Sequence, residues 1–532
     1  MTNSKLHIIV LAAGAGTRMH SDKLKVLHEV AGQPMIKHVL KTAQALNPAQ
    51  ITVVCGHQQD ALKQALAEET VNWAEQSEQL GTGHAVQQAM PFVKDDESVL
   101  VLYGDAPLVE AGDLHQMQAE ACVLTAHLDN PTGYGRIINQ DGHITAIVEQ
   151  KDANEDQLKI QEVNSGIIKA PATDLSRWLE QLDNNNSQGE YYLTDVIAMA
   201  AEEGRPFHAV QAEQSDIIKG ANDMRQLADL EVIYQRRVVN RLLQQGVRMP
   251  RPESVDIRGD LICGRDVVLD KNTLLQGDNH LADGVQIGAF SVLEDCDLAA
   301  GTVVEPHSML SGVKTTGACT IGPFARLRPG TELAQGSKVG NFVEMKKAKV
   351  GENAKASHLS YLGDAIIGNN VNIGAGTITC NYDGVNKFTT VIKDGAFIGS
   401  DSQLVAPVTI RASTSNSRGV RSSSGAEGGK TRVLWVSMIL ATRVSSLKRL
   451  PLSTATSAPA RLASSMSFAW AVTASIFTAG ASSLIRRIAW APAASLLNHF
   501  RSSNKTLGFN STALCSASCG EAACAKTLIA SS

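Results

Sequence analysis

The chain has 532 residues, 43% hydrophobic and 19% charged, with a net charge of −5. At about 150 residues per domain this is enough for two or more cores, and it excludes a wholly disordered or strongly basic chain. The charge is uneven, because residues 411–532 carry fourteen Lys and Arg against Glu427 and Glu521, a balance of +12 that leaves −17 on the first 410. Met1–Lys5 leads straight into a strand-like run, so no secretory leader is expected. The nine Cys show no metal-like spacing in the first 410 residues, which predicts reduced thiols and a cytoplasmic location.

Leu6–Ala12 is a short apolar run that ends in Gly14-Ala15-Gly16-Thr17-Arg18-Met19. Strand-like runs follow at Ile51–Val54, Ser98–Tyr103 and Ala121–Ala126, with helix-like segments such as Pro34–Ala45 and Gln58–Ala67 between them. That alternation predicts an α/β, Rossmann-like domain whose mostly parallel sheet has helices on both faces. Ligands of such sheets sit beyond the carboxyl ends of the strands, where the glycine-rich turn lies. The turn lacks the third glycine of a dinucleotide fingerprint and the Gly-Lys-Ser/Thr of a P-loop. Its small residues still let backbone N–H groups approach phosphate oxygens, with Arg18 and Lys25 supplying positive charge. Tyr103-Gly104-Asp105 puts a carboxylate at a strand end, suited either to a hard Mg²⁺ ion or to capping a following helix. Gln76 to His84 offers amide and backbone groups able to read the edge of a base.

From Asn222 to Gln245 an apolar residue recurs at helical spacing (Met224, Leu227, Leu230, Ile233, Tyr234, Val238, Leu242), and Gly246, Pro250 and Pro252 follow as stop signals. A long linker helix is predicted. From Ile257 the beat changes to six: Ile257, Cys263, Leu269, Leu275, Leu281, Ile287, Leu293, then, after one-residue slips, Leu298, Val304, Leu310, and Ile321, Leu327, Leu333, Val339, Met345. It continues through Val350, Ala356, Leu362, Ile367, Ile373 and ends as Ile392, Ile398, Leu404, Ile410. No helix or paired strand has this period, whereas a coil of short parallel strands does. Cys380–Phe388 interrupts the beat with turn residues, and loops leaving a rigid scaffold are where binding groups concentrate.

His358 falls between the inward positions Ala356 and Leu362, so its side chain can face outward, and its type suits a base near neutral pH. It is equally readable as a surface histidine. Arg328 and Lys346 each follow an inward position and offer charge to a phosphate, or merely solvation. After Ile410 the beat stops. Residues 411–532 are rich in Ser, Ala and Arg with no persistent period, as expected of a largely disordered tail from an altered reading frame. Leu462–Ile485 is uncharged and long enough for a bilayer but too rich in Ser and Thr, so no membrane insertion is expected. Cys515, Cys519 and Cys524 fit no zinc pattern. No specific nucleic-acid partner is expected.

Leu11-Ala12-Ala13-Gly14 with Gly16-Thr17-Arg18-Met19 and Lys25 resembles the signature of sugar-phosphate nucleotidyltransferases. Together with Gln79-Leu80-Gly81-Thr82-Gly83-His84-Ala85 and the hexapeptide ladder, it resembles the bacterial bifunctional N-acetylglucosamine-1-phosphate uridylyltransferase and glucosamine-1-phosphate N-acetyltransferase family over residues 5–410. The resemblance implies a uridylyltransferase domain over 1–222, a linker helix over 223–250 and a truncated left-handed parallel β-helix over 251–410. It implies a homotrimer, Mg²⁺, and the substrates UTP and acetyl-CoA. By it, Leu11, Ala12, Ala13, Gly14, Gln76, Gly81 and Thr82 hold the uridine nucleotide, Arg18 and Lys25 its phosphates. Tyr103, Gly104, Asp105, Gly135, Glu149, Asn164 and Asn222 complete the nucleotide-sugar site, with Asp105 and Asn222 on Mg²⁺. Glu149 is also readable as a solvated strand end.

For the second site the resemblance implies His358 as base oriented by Glu344, and Arg328, Lys346, Tyr361, Asn372 and Lys387 on glucosamine 1-phosphate. Ala375, Asn381, Tyr382 and Ser400 line the acetyl-CoA site. Two departures stand out. Leu24 replaces the family's proline before the lysine, predicting a looser loop, and the family's C-terminal coils are absent, predicting weak acetyl transfer. A non-catalytic nucleotide-sugar scaffold, or a pyrophosphorylase for another sugar phosphate, remains an alternative.

Overall fold

The computed structural model describes residues 5–14, 16–56, 59–140 and 142–412. The expectations for the tail beyond them, including Leu462–Ile485 and its cysteines, lie outside the described residues. Among the described residues no helix is long and apolar enough to cross a membrane.

The N-terminal sheet runs in the order His208–Gln211, Cys122–His127, Glu162–Pro171, Glu97–Tyr103, Lys5–Leu11, Gln50–Cys55, Asn72–Glu75. Lys5–Leu11 pairs in parallel with both neighbours, Leu11 lying opposite Tyr103. These two strands are apolar on both faces because helices cover both, as in any sandwiched parallel sheet. The four strands expected from sequence are present within a residue or so, and helices form at Met35–Ala45 and Gln59–Ala65. Sequence reading missed Glu162–Pro171, which is antiparallel to both neighbours, and the hairpin Arg136–Gln140 with His143–Val148. Alternation is broken by register shifts between Asn164 and Ile168 in the first and between Ile138 and Asn139 in the hairpin, irregularities that disguise the period of two.

The helix Met224–Gln244 starts at Asp223, whose side chain accepts from the Gln226 N–H, satisfying one of the donors a helix start leaves open. Its first half buries Leu230 and Ile233 against Val30, Met35 and Leu108 of the sheet domain. Its second half buries Val239 and Leu242 in the core of the downstream coil. Gln235 grips the first coil strand in both directions, donating to the Ile257 carbonyl at 2.7 Å and accepting from the Ile257 N–H at 3.0 Å.

Residues 256–410 form a parallel β-helix of three stacked sheets with nine, nine and eight strands. Face one runs from Asp256–Arg258 to Gln403–Val405, face two from Leu261–Cys263 to Val408–Ile410, and face three from Val268–Leu269 to Phe397–Ile398. The six-residue beat marks the side chains inside, most of them buried in one continuous core. Its five-residue slips, as at Leu293 to Leu298 and Met345 to Val350, all fall at the corner between faces one and two. The two missing beats are threonines. Thr315 lies inward beside Leu333, and Thr379 inward beside Leu404. Thr315 Oγ1 accepts from the Ala299 N–H at 2.6 Å, and Thr379 Oγ1 accepts from the Gly363 N–H at 2.7 Å. A polar group is tolerated there because it is bonded.

Replacing Thr315 with the isosteric but more apolar Val is therefore expected to destabilise the coil by about 1–3 kcal/mol, because the Ala299 N–H is left without a partner. Urea denaturation followed by circular dichroism checks this, and a stabilised variant would contradict it.

Candidate functional site

The carboxyl ends of Lys5–Leu11 and Glu97–Tyr103 meet in one cleft. Past Leu11 the chain turns through Ala12 and Ala13, both buried, and the Gly104 N–H donates back to the Leu11 carbonyl at 2.9 Å. Gly16 then takes a left-handed conformation, φ 60°, to begin the short 3-10 turn Thr17–Met19, which leaves Arg18 exposed. Gly14 is exposed too. Leu24 has φ −52° and ψ 137° and accepts from the Leu27 N–H at 2.9 Å. That φ is within the range a proline would impose, and the turn hydrogen bond holds the loop expected to be looser.

Lys25, Asp105 and Asn222 converge although 197 residues separate the first from the last. Lys25 Nζ pairs with the Asp105 carboxylate and donates to Asn222 Oδ1 at 2.8 Å. Two hard oxygens from distant segments thus already point at a single cation, which is the donor set a magnesium ion takes. Among the described residues no group of three or more His, Cys, Asp or Glu is placed to hold a metal ion.

On one flank Gln76 is buried, and its Nε2 donates to the Gly81 carbonyl at 3.0 Å. Gly81 has φ 114°, and a Cβ there would lie 2.6 Å from the Tyr191 carbonyl oxygen, so both conformation and space require glycine. Thr82 opens the helix Thr82–Ala89, and its hydroxyl accepts from the Leu193 N–H at 3.1 Å. On the other flank Tyr103 is partly buried, and desolvation, aided by the charges of Glu149 and Asp105, pushes its phenol well above the ordinary value. Its ring packs on Gly166, whose N–H is held by Asn164 Oδ1 at 2.8 Å. Gly135 faces Glu149, a Cβ there lying 3.3 Å from Glu149 Oε1. Every expected residue of this first group lies at or beside the sheet's carboxyl edge except Arg18, for which no hydrogen bond to the others is formed.

Residues 8–150 match the family model described as the MobA-like NTP transferase domain. The chain carries a nucleotidyltransferase domain. Two solved structures are similar to part of the chain. One is a putative glucose-1-phosphate thymidylyltransferase from Bacillus anthracis (21% identity, 43% of this chain and 94% of that one, TM-score 0.35). The other is a UDP-glucose pyrophosphorylase complexed with UDP-glucose (17% identity, 44% and 99%, TM-score 0.36).

The residues expected on the β-helix fall into two groups. His358 ends the strand Lys355–His358 on face three, level with Asn341 on the previous coil, and its Nδ1 lies 2.7 Å from Asn341 Oδ1. Ala375 and Ser400 follow at the same level on the next two coils, two residues past Ile373 and Ile398. Glu344 does not touch this column. It lies on face one and accepts from Arg328 at 3.0 Å, so within this chain the side chain bonded to His358 is that of Asn341. The coil spacing of 17 residues, read backwards from His358, is the signal that would have found it.

The second group faces outward on face one. Arg328, Lys346 and Lys387 are near enough that Lys387 first, then Arg328, lowers the Lys346 ammonium from its usual value. Three crowded cations suit an anion. Tyr361 lies opposite Glu344 on the next coil. Asn372 sits on face three opposite Lys355, at the start of its strand and away from this group. Asn381 anchors the hairpin by donating to Asp364 Oδ2 at 2.5 Å, while Tyr382 is exposed and pairs with Lys387.

A third constellation looks chemical and is not. His7 bridges Glu97 at 3.0 Å and Thr52 at 2.8 Å, the pattern of an activated hydroxyl. All three are buried at the amino ends of their strands, so no substrate reaches Thr52, and the trio joins three strands.

Burial is the largest influence on Glu149 and raises its carboxyl, which Thr194 Oγ1 contacts at 3.4 Å. A carboxyl raised in the folded state leaves the protein less stable as pH climbs from the unfolded value, about 4.3, through the folded one. Glu149→Gln is therefore expected to raise the Tm at pH 8, with the difference fading toward pH 4. Thermal melts across that range check it, and a variant equally stabilised at every pH would contradict it.

Proposed function

We propose that the chain transfers a uridylyl group from UTP to N-acetylglucosamine 1-phosphate, releasing pyrophosphate, and that its β-helix acetylates glucosamine 1-phosphate from acetyl-CoA. The observation that carries the first half is the convergence of Lys25, Asp105 and Asn222 at the mouth of the glycine-rich turn of a nucleotidyltransferase domain. Leu11 to Gly14, Gln76, Gly81 and Thr82 hold the uridine, while Arg18 and Lys25 take the phosphates. Tyr103, Gly104, Gly135, Glu149 and Asn164 hold the amino sugar. Asp105 and Asn222 hold Mg²⁺, which when bound neutralises phosphate charge and keeps the α-phosphorus open to in-line attack. The reaction needs no protein nucleophile, so these side chains act by orientation and charge.

In the second half Arg328, Lys346 and Lys387 bind the sugar phosphate, with Glu344 fixing the Arg328 guanidinium and Tyr361 placing the sugar. His358, held by Asn341, removes the amine proton. Ala375, Asn381, Tyr382 and Ser400 line the coenzyme path, and a backbone N–H near Ala375 stabilises the oxyanion. The hairpin and the His358 column leave opposite edges of face one, which supports a site completed by a neighbouring copy in a homotrimer. An exposed stack at the His358 edge, Phe290, His307, Phe324 and Phe342 with ring centroids 4.9–5.4 Å apart, supports the same assembly.

Pyrophosphate release and CoA release, assayed separately, test the two halves. Asp105→Asn is expected to lower pyrophosphate release about 100-fold, some 2.7 kcal/mol of transition-state stabilisation, and to leave CoA release intact. His358→Ala should lower CoA release by roughly 10²–10⁴-fold and leave pyrophosphate release intact. Faster pyrophosphate release with glucose 1-phosphate than with N-acetylglucosamine 1-phosphate would refute the assigned sugar.

A further inference from the structure

Lys25 occupies the position a divalent ion would need. Its ammonium takes the Asp105 carboxylate and the Asn222 carbonyl oxygen together, and the Lys25 and Asp105 side chains are only 15% and 18% exposed. The surroundings hold both groups to this meeting. Gly16 lies against the lysine stem, a Cβ there falling 2.7 Å from Lys25 Cβ, and Gly220 lies against the carboxylate, a Cβ there falling 3.3 Å from Asp105 Oδ2. An ammonium and a divalent cation cannot share the same two oxygens, because like charges at that range repel strongly in a partly enclosed site. Yet lysine is a point charge on a flexible four-carbon stem, so it can leave without moving the backbone.

We propose that Lys25 is a tethered counter-cation that excludes a divalent metal from Asp105 and Asn222 until an anionic nucleotide phosphate draws the ammonium away. The free protein then binds metal weakly, and nucleotide and metal bind with positive coupling through one side chain, each favouring the state in which Lys25 has swung out. Asp105 is never left as an unpaired carboxylate in the half-enclosed cleft, since one cation replaces another. This inference rests on the reading of Asp105 and Asn222 as metal ligands.

Titrating the full chain with Mn²⁺ in the absence of nucleotide, and following free Mn²⁺ by electron paramagnetic resonance, tests it. Lys25→Met is expected to bind Mn²⁺ at least about tenfold more tightly than the parent, and to gain more Tm on Mn²⁺ addition. Lys25→Gln, which keeps a donor toward Asp105, serves where Lys25→Met does not fold and should shift the same way. Lys25→Arg should keep the weak parental affinity. Equal Mn²⁺ affinity in parent, Lys25→Met and Lys25→Gln, with binding abolished by Asp105→Asn, overturns the lysine's role and leaves the metal site standing. Mn²⁺ binding untouched by Asp105→Asn overturns both.

Discussion

One inward side chain per hexapeptide governs residues 256–410 of this molecule. Each buried Leu, Ile or Val in the column contributes roughly 1.5–3 kcal/mol relative to exposure, and the parallel ladder copies each strand's register to the next. The coil therefore has little freedom. A residue added or removed must appear as a corner slip, as at Leu293 to Leu298, or be expelled as a loop, as at Asn381–Phe388. Because the core fixes which residues point in, it also fixes which point out, and that is how Arg328 and Lys346 come to lie on one surface.

The Met224–Gln244 helix carries the same logic to the sheet domain. It belongs to two cores at once, with Leu230 and Ile233 in one and Val239 and Leu242 in the other. Asn222 immediately precedes it, so the helix that ties the two parts together also brings an oxygen to the glycine-rich turn. Stability and site geometry are linked at that junction, because displacement of the helix would carry Asn222 away from Lys25.

Glu149, Asn164 and Tyr103 illustrate how the sheet domain trades stability for a site. Glu149 is held where burial disfavours its charge, partly buried Tyr103 lies near two carboxylates, and Asn164 precedes a bulge while its Oδ1 accepts from the Gly166 N–H. Costs such as the first two are characteristic of functional positions.

The sequence by itself determined the six-residue coil, the glycine-rich turn, the linker helix and most parallel strands, because each depends on short-range periodicity or on the steric needs of neighbouring residues. It also marked Lys25, Asp105 and His358 through their local chemistry. Only the tertiary structure decided which groups meet. Asn341 rather than Glu344 holds His358, Thr194 reaches Glu149, threonines fill the silent beats at 315 and 379, and Leu24 keeps a proline-like backbone without being proline. The antiparallel strand Glu162–Pro171 was hidden for the same reason. Apart from Leu24, whose turn bond is local, the side-chain outcomes turn on partners 16 to 45 residues away, and a one-dimensional pattern records spacing along the chain but not the hydrogen bonds that close across it.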